Sequence, residues 1–310
     1  MGEPRDWTDT RILVTGATGF IGKHLINQFR DRGALIYAGT SPTTESHCSP
    51  HTLAFDVRDA EAVHAAVDQA DPDVVFHLAA VGVTNPAVDP LEALRVNAGG
   101  VVNLLEALKG RDIQRVVLVG TSHEYGAQQT TEQLDPYSAY AASKVAAWAY
   151  GRMYWRAYGL PTVTVRPFQV YGPGQPEKAL IPSAIKAALS EEDFPMTTGE
   201  QELDFVYVED VIAGMVAAAG APDIAGHSLD IGTGAGHTVR SVVDQIWQLT
   251  DAVGDVLAGT LPSRPGEPTR LVADAERTAR LTGWRAHTSL KEGLCRTIQS
   301  LGRGGRQLDD

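Results

Sequence analysis

Basic charge, cysteine and long apolar runs are all scarce in this 310-residue chain. Lys and Arg number 26 against 38 Asp and Glu, a formal net charge of −12. So acidic a chain lacks the basic face that non-specific nucleic-acid or anionic-membrane binding needs, and neither is expected as a partner. Two cysteines, Cys48 and Cys295, make no disulfide scaffold and fit a reducing, cytoplasmic setting. No apolar run approaches the roughly 18 residues of a membrane span. The start, Met1–Thr10, is polar with no apolar stretch behind a basic flank, so no signal peptide is expected there. What is present, 43% hydrophobic and 21% charged residues, is a globular composition that excludes disorder, collagen-like structure and coiled coil. The length suits one large α/β core carrying a smaller lobe.

Apolar patterning fills in that outline. Arg11–Thr15, Leu35–Ala38, Val74–Leu78, Val116–Val119 and Thr162–Val165 are short strand-like runs rich in Val, Ile and Leu. Between them, Lys23–Arg32, Ala60–Ala70, Leu91–Lys109 and Tyr137–Tyr158 have helical spacing. Strands alternating with helices predict βαβ units and a parallel, doubly wound sheet covered on both faces. The alternation loosens after about Tyr171, where Pro and Gly become frequent. The expected division is a dinucleotide-binding domain over 1–170, with 205–231 returning to it. A substrate lobe would take 171–204 and 232–302, and 303–310 would form a tail. Within 205–231, Phe205–Met215 and Ser228–Ile231 are the segments expected to rejoin the first sheet.

Gly16-Ala-Thr-Gly19-Phe-Ile-Gly22 follows a strand and opens a helix. The first glycine permits a tight turn and the second lets backbone approach a diphosphate. The third lets the helix sit close to the sheet, with N–H groups and helix dipole facing the anion. The spacing is three-and-three, where two-and-three is usual. At the end of the second strand an acidic residue would select NAD by bonding the adenosine ribose. Thr40 and Ser41 stand there, with no arginine beside them in sequence, which leans toward NADP over NAD. Asp56, ending the next strand, either meets the adenine or caps a loop. Tyr140 and Lys144 lie four residues apart on one helix face. A nearby ammonium lowers the tyrosine's pKa, and such a pair passes a proton while hydride moves at carbon. Thr121 and Ser122 end the upstream strand at the sheet edge where parallel α/β proteins bind ligands.

Together these features resemble the extended short-chain dehydrogenase/reductase family, the Rossmann-fold branch acting on nucleotide-linked sugars. The resemblance runs from Arg11 to about Leu301. It includes His77-Leu-Ala-Ala80, Asn97, Glu124-Tyr125-Gly126, Arg166-Pro-Phe-Gln169, Asp204-Phe205, Asp210 and Arg264-Pro-Gly-Glu267. It implies catalysis by Tyr140 as acid/base, Lys144 and Thr121. It implies cofactor contacts from Gly16, Thr18, Gly19, Phe20, Ile21, Gly22, Thr40, Ser41, Asp56, Val57, Leu78, Ala79, Ala80, Asn97, Tyr140, Lys144 and Pro167. Substrate contacts would come from Val81, Ser122, His123, Gln169, Arg264 and Glu267, with no metal. The partner implied is a nucleotide-diphosphate sugar. The helices over Leu91–Lys109 and Ala139–Tyr158 match a dimer's four-helix bundle, so a homodimer is expected.

Local strings, among them Gly39-Thr40-Ser41, Glu124-Tyr125-Gly126 and Leu281-Thr-Gly-Trp284, look most like GDP-4-keto-6-deoxy-mannose reductases. The leading expectation is therefore NADPH-dependent reduction of a nucleotide-linked 4-keto-6-deoxy sugar at C4. A 4-epimerase with tightly bound NAD is the nearest alternative, then a 4,6-dehydratase, and remotely a non-catalytic NADP-binding redox sensor. Dehydratases of this kind carry a glutamate where His123 stands; His123 is either a polar lining group or a base. Two family positions differ here. Gln169 replaces an Asn, and Leu203 replaces an Arg, which shifts phosphate recognition onto Arg264, backbone N–H groups or Arg270.

Overall fold

The computed structural model describes residues 5–44, 49, 51–85, 87–127, 133–263 and 266–304. Arg264 and Cys48, singled out above, lie outside them. The chain opens with β1 (Arg11–Thr15), α1 (Phe20–Arg30), β2 (Leu35–Thr40), β3 (His51–Ala54), α2 (Ala60–Ala70) and β4 (Val74–His77). Asp59 caps α2 by accepting the Glu61 and Ala62 N–H groups. The helix expected over Leu91–Lys109 is three pieces. These are α3 (Pro90–Ala93), a π-helical turn at Leu94–Gly99, and α4 (Gly100–Leu108). Then come β5 (Arg115–Val119), a 3₁₀ turn at Ser122–Tyr125, α5 (Ala139–Tyr158) and β6 (Thr162–Pro167).

The second half supplies β7 (Gln169–Tyr171), α6 (Leu180–Leu189), β8 (Phe194–Met196), β9 (Glu202–Leu203), β10 (Phe205–Tyr207), α7 (Val208–Gly220) and β11 (Ser228–Ile231). It ends with β12 (His237–Thr238), α8 (Val239–Thr250), β13 (Val256–Ala258), β14 (Arg270–Leu271), α9 (Ala275–Thr282) and α10 (Leu290–Gly304). Seven strands form one parallel sheet in the order β11-β6-β5-β4-β1-β2-β3. The order reverses between β1 and β4, and the crevice outside their carboxyl ends is where such sheets bind ligands.

The strands alternate faces as the pleat requires. Ile12, Val14, Val74 and Phe76 pack with α1 and α7 on one side. Leu13, Val75, Val116 and Leu118 pack with α2, α4 and α5 on the other. A third core, around Tyr171, Ile185, Phe205, Val242, Ile246 and Leu294, belongs to the C-terminal elements.

One expectation is corrected here. Phe205–Met215 returns to the main sheet as a covering helix and not as a strand: β10 pairs with β7 in a separate two-stranded sheet, and α7, from Val208, packs on the main sheet's face. Ser228–Ile231 does enter the main sheet, as its edge strand beside β6. At the other end, α10 runs to Gly304, and 305–310 lie outside the described residues. Among the described residues no helix is long and apolar enough to cross a membrane.

Candidate active site

The carboxyl ends of the strands open into a cavity of about 1440 Å³ that continues under the C-terminal elements. One wall carries Gly16, Thr18, Gly19, Phe20, Ile21, Gly22, Thr40, Ser41, Asp56, Val57, Leu78, Ala79, Ala80, Val81 and Pro167. Thr121, Tyr140 and Lys144 face the same space, and His123, Gln169 and Glu267 line it farther on. Arg58, Tyr137 and Lys178 also line it, and no motif named them in advance.

Three expected ligand contacts are corrected. Asn97 lies behind the wall: it accepts the Val81 N–H at 2.9 Å and donates to Val81 O at 3.0 Å and Ser143 Oγ at 2.9 Å. It ties the loop after β4 to α5 and does not line the cavity. Ser122 is buried, with no partner for its hydroxyl, because the 3₁₀ turn that starts there exposes Thr121 and His123 to the cavity instead. Arg270, the fallback phosphate anchor, is exposed and pairs with Glu202 at 3.1 Å outside the cavity.

The glycine turn fits a diphosphate. Gly16 has φ +68°, and a Cβ there would sit 2.7 Å from Ala79 N, inside the loop after β4. A Cβ on Gly22 would sit 2.4 Å from Gly16 O, so the third glycine is what lets α1 close onto the turn. Gly19 caps α1 without a side-chain bond, and no acidic residue occupies the first turn. The first N–H groups of α1 therefore face the cavity with only the positive helix end behind them. Gly22→Ala is expected to abolish measurable dinucleotide binding and cost about 1–3 kcal/mol of stability through overpacking. Fluorescence titration and thermal unfolding check both.

Beyond the ends of β2 and β3, Arg58 donates to both Asp56 oxygens, at 2.6 Å to Oδ2 and 3.0 Å to Oδ1, and to Glu92 Oε1 at 3.1 Å. Those bonds hold the Asp56 carboxyl below the usual range. In space, then, a guanidinium shares the wall with Thr40 and Ser41, although none is adjacent in sequence.

The reacting end is built on the β5 terminus. Thr121 caps the 3₁₀ turn, its Oγ1 accepting the His123 N–H at 3.3 Å. Its hydroxyl proton stays available, and Tyr140 lines the same cavity. Lys144 Nζ donates to Val119 O at 2.8 Å and lies 5.9 Å from the Tyr140 ring centroid. Burial lowers Lys144 to about 8, with the Glu124 carboxylate pulling it back up. Tyr140 departs from expectation: burial, then Glu124, push its pKa above the ordinary phenol value, while the Thr121 side chain pulls the other way. Lys144, lowered to about 8, is already neutral where a phenol raised above its ordinary value would ionise, so it does not pull Tyr140 down. His77, at the end of β4, is fully buried and held neutral with a pKa near 3, by burial and by the Lys144 charge. It bonds Thr15 Oγ1 at 2.8 Å, which in turn accepts the Ala79 N–H at 3.3 Å. His123 Nδ1 stands 3.1 Å from the Tyr137 hydroxyl, and its Nε2 stands 3.3 Å from Gln169 Nε2.

Beneath this floor runs a buried polar chain that the motifs did not reveal as such. Thr121 N–H donates to Glu124 Oε1 at 2.8 Å, and Arg166 Nε donates to Glu124 Oε2 at 2.7 Å. Arg166 also donates to the Tyr125 hydroxyl at 3.3 Å, and that hydroxyl donates to Asp230 at 2.5 Å. The readable signal was Thr121-Ser-His-Glu124, a capping-box pattern whose glutamate turns back onto its own cap.

A family model, the NAD dependent epimerase/dehydratase family, matches residues 12–232. The chain belongs to that family. It is thereby an enzyme of the extended short-chain dehydrogenase/reductase type, from a family whose members use NAD. UDP-glucose 4-epimerase of Mycolicibacterium smegmatis is 31% identical over 311 residues, covering 93% of this chain and 97% of that protein. dTDP-glucose 4,6-dehydratase 1 of Escherichia coli is 28% identical, covering 93% of this chain and 92% of that protein. Among solved structures, the UDP-glucose 4-epimerase of Thermus thermophilus in complex with NAD superposes with a TM-score of 0.85. That pair is 28% identical over 94% of this chain and 99% of the other. The seven-stranded Rossmann-like sheet with its C-terminal lobe is thus the family's architecture.

Proposed function

We propose that this family member reduces a nucleotide-linked 4-keto-6-deoxy sugar at C4, with NADPH as the preferred cofactor. The observation that carries the reading is the convergence of Thr121, Tyr140 and Lys144 on one cavity wall, with Lys144 Nζ held on Val119 O at 2.8 Å. A bound nicotinamide dinucleotide supplies hydride. Thr121, whose oxygen already accepts an N–H, turns its proton toward the sugar oxygen. Tyr140 holds its proton at neutral pH because burial and Glu124 raise its pKa, which suits an acid that protonates a ketone oxygen as it is reduced. Lys144, charged below about pH 8, restores the favourable field as the phenol gives up that proton.

Removing a C5 proton, as dehydration requires, needs a free base near the sugar. Among the described residues, the carboxylates lining the cavity are Asp56 and Glu92, both on Arg58, and Glu267, which accepts from Gln201 at 3.0 Å. Glu124 is behind the wall on Arg166. The NADPH preference rests on Thr40 and Ser41, which carry no charge to repel a 2′-phosphate, and on Arg58 nearby in the same cavity. Among the described residues, Lys178 lines the cavity from the C-terminal side and suits the substrate's diphosphate, with the backbone before α6. A 4-epimerase with retained NAD is the second reading, favoured by the 31% identity to UDP-glucose 4-epimerase.

One experiment separates them. The purified protein is assayed for NADPH oxidation against GDP-, dTDP-, UDP- and CDP-linked 4-keto sugars, and its retained nucleotide is released and identified. NADPH consumption with one of these supports reduction. Retained NAD together with C4 interconversion and no NADPH consumption supports epimerisation instead.

The pH dependence has a definite sign. A lysine whose pKa is lowered to about 8 is cationic below that value. Turnover is expected to hold through neutral pH and fall as pH rises through about 8, read from the alkaline limb of kcat. A homodimer is also proposed. Leu91, Leu94, Tyr150, Met153 and Tyr158 are exposed apolar residues on neighbouring helical segments around α5. Light scattering should return twice the chain mass, and the chain mass alone would overturn the dimer.

A further inference from the structure

Glu124 touches no part of the cavity, yet it is fully buried, and its two oxygens are divided between the active-site cap and a buried guanidinium. We propose that Glu124 is a positioning residue: its carboxylate, clamped by Arg166, fixes the Thr121 backbone and sets one negative charge beneath the Tyr140–Lys144 pair. The inference rests on the oxidoreductase reading of that pair.

The geometry divides the work between the two oxygens. Oε1 accepts the Thr121 N–H at 2.8 Å, which with the His123 N–H on Thr121 Oγ1 closes the capping box and fixes where the threonine hydroxyl points. Oε2 accepts from Arg166 Nε at 2.7 Å, so the carboxylate cannot swing away without leaving two buried groups unpaired. Arg166 is itself held by the Tyr125 hydroxyl, and Tyr125 by Asp230, whose other oxygen accepts the Asp274 N–H at 3.1 Å. The chain of bonds therefore anchors the β5 terminus to β6, β11 and the segment before α9.

The charges around Glu124 are Arg166 on β6, Lys144 and the Tyr140 phenol on α5, and Asp230 on β11 reached through Tyr125. Lys144 in turn acts on His77 at the end of β4. In this set Glu124 is the anion that favours the protonated form of both Lys144 and Tyr140. A purely structural glutamate would hold the turn and leave those protonation states alone.

The test is a titration that needs neither cofactor nor substrate. Lysine labelled with ¹³C at Cε is followed by NMR in the whole ligand-free protein, with the Lys144 signal assigned by its loss in Lys144→Arg. Glu124→Gln keeps the shape and the acceptor for Thr121 but removes the charge. Its Lys144 midpoint is expected to fall by about half a unit or more. Glu124→Asp keeps the charge and should keep the midpoint near the parent value. In turnover assays Glu124→Gln should lose about tenfold in kcat with little change in KM, its alkaline limb moving to lower pH. If Glu124→Gln fails to fold, the double variant Glu124→Gln/Arg166→Gln removes both partners of the pair, and its Lys144 midpoint is expected to fall below the parent value, by less than in the single variant because a cation is lost with the anion. A Lys144 midpoint unmoved in the folded Gln variant, or moved equally by Asp and Gln, overturns the proposal. Failure of every 4-keto sugar as substrate would overturn the reductase reading and leave the titration result standing.

Discussion

Tyr140→Phe is expected to lower kcat on the 4-keto sugar nucleotide by about 10²–10⁴-fold, the usual contribution of a positioned general acid. In free energy that is about 3–5 kcal/mol of transition-state stabilisation. The substitution removes one hydroxyl and keeps the ring, so the cavity wall that Tyr140 shares with Gly82 and Lys144 stays filled. KM and dinucleotide affinity should therefore change little, since the lost interaction forms only as the proton moves. Thr121 keeps its cap bond from His123 N–H. Steady-state kinetics with a binding titration on the same preparation check this. Undiminished kcat would remove Tyr140 from the role of acid.

Arg166→Leu carries the largest expected stability effect. Its guanidinium is the buried counter-ion of Glu124, at 2.7 Å, and it also donates to Tyr125. Removing one partner of a buried pair leaves an uncompensated charge and typically costs about 3–5 kcal/mol. In this chain the Tyr125–Asp230 bond would also lose its cationic neighbour, and burial already raises the pKa values of both groups. The melting temperature should fall on the order of 10 °C. The double variant Glu124→Leu/Arg166→Leu should recover part of that loss, because Glu124 is then no longer left without its counter-ion. Calorimetry on the three proteins separates a pairwise penalty from simple loss of packing.

Much of the fold is legible in the sequence because local chemistry and global architecture agree. The Val- and Ile-rich runs become parallel strands, and the Gly16–Gly22 turn opens α1 against the cavity. Tyr140 and Lys144 fall on one face of α5 as their spacing requires. What spacing does not carry depends on contacts between distant residues. Asn97 is diverted by Val81 and Ser143, 16 and 46 residues away in sequence. Glu124 meets an arginine 42 residues on, and Arg58 joins the Thr40 wall only because β3 pairs with β2. The sign of the Tyr140 shift is reversed from expectation for the same reason. Spacing reveals the ammonium one turn away but neither the burial of both groups nor the carboxylate beneath them.

The proposed reaction is hydride transfer to sugar C4 with Tyr140 as acid. NADPH carrying deuterium on the transferring face of its reduced nicotinamide, incubated with the 4-keto-6-deoxy sugar nucleotide that consumes it, tests that claim most directly. NMR of the product is expected to find the deuterium on C4, with one NADPH oxidised per sugar reduced. Deuterium on another carbon, or C4 interconversion without NADPH consumption, would contradict it.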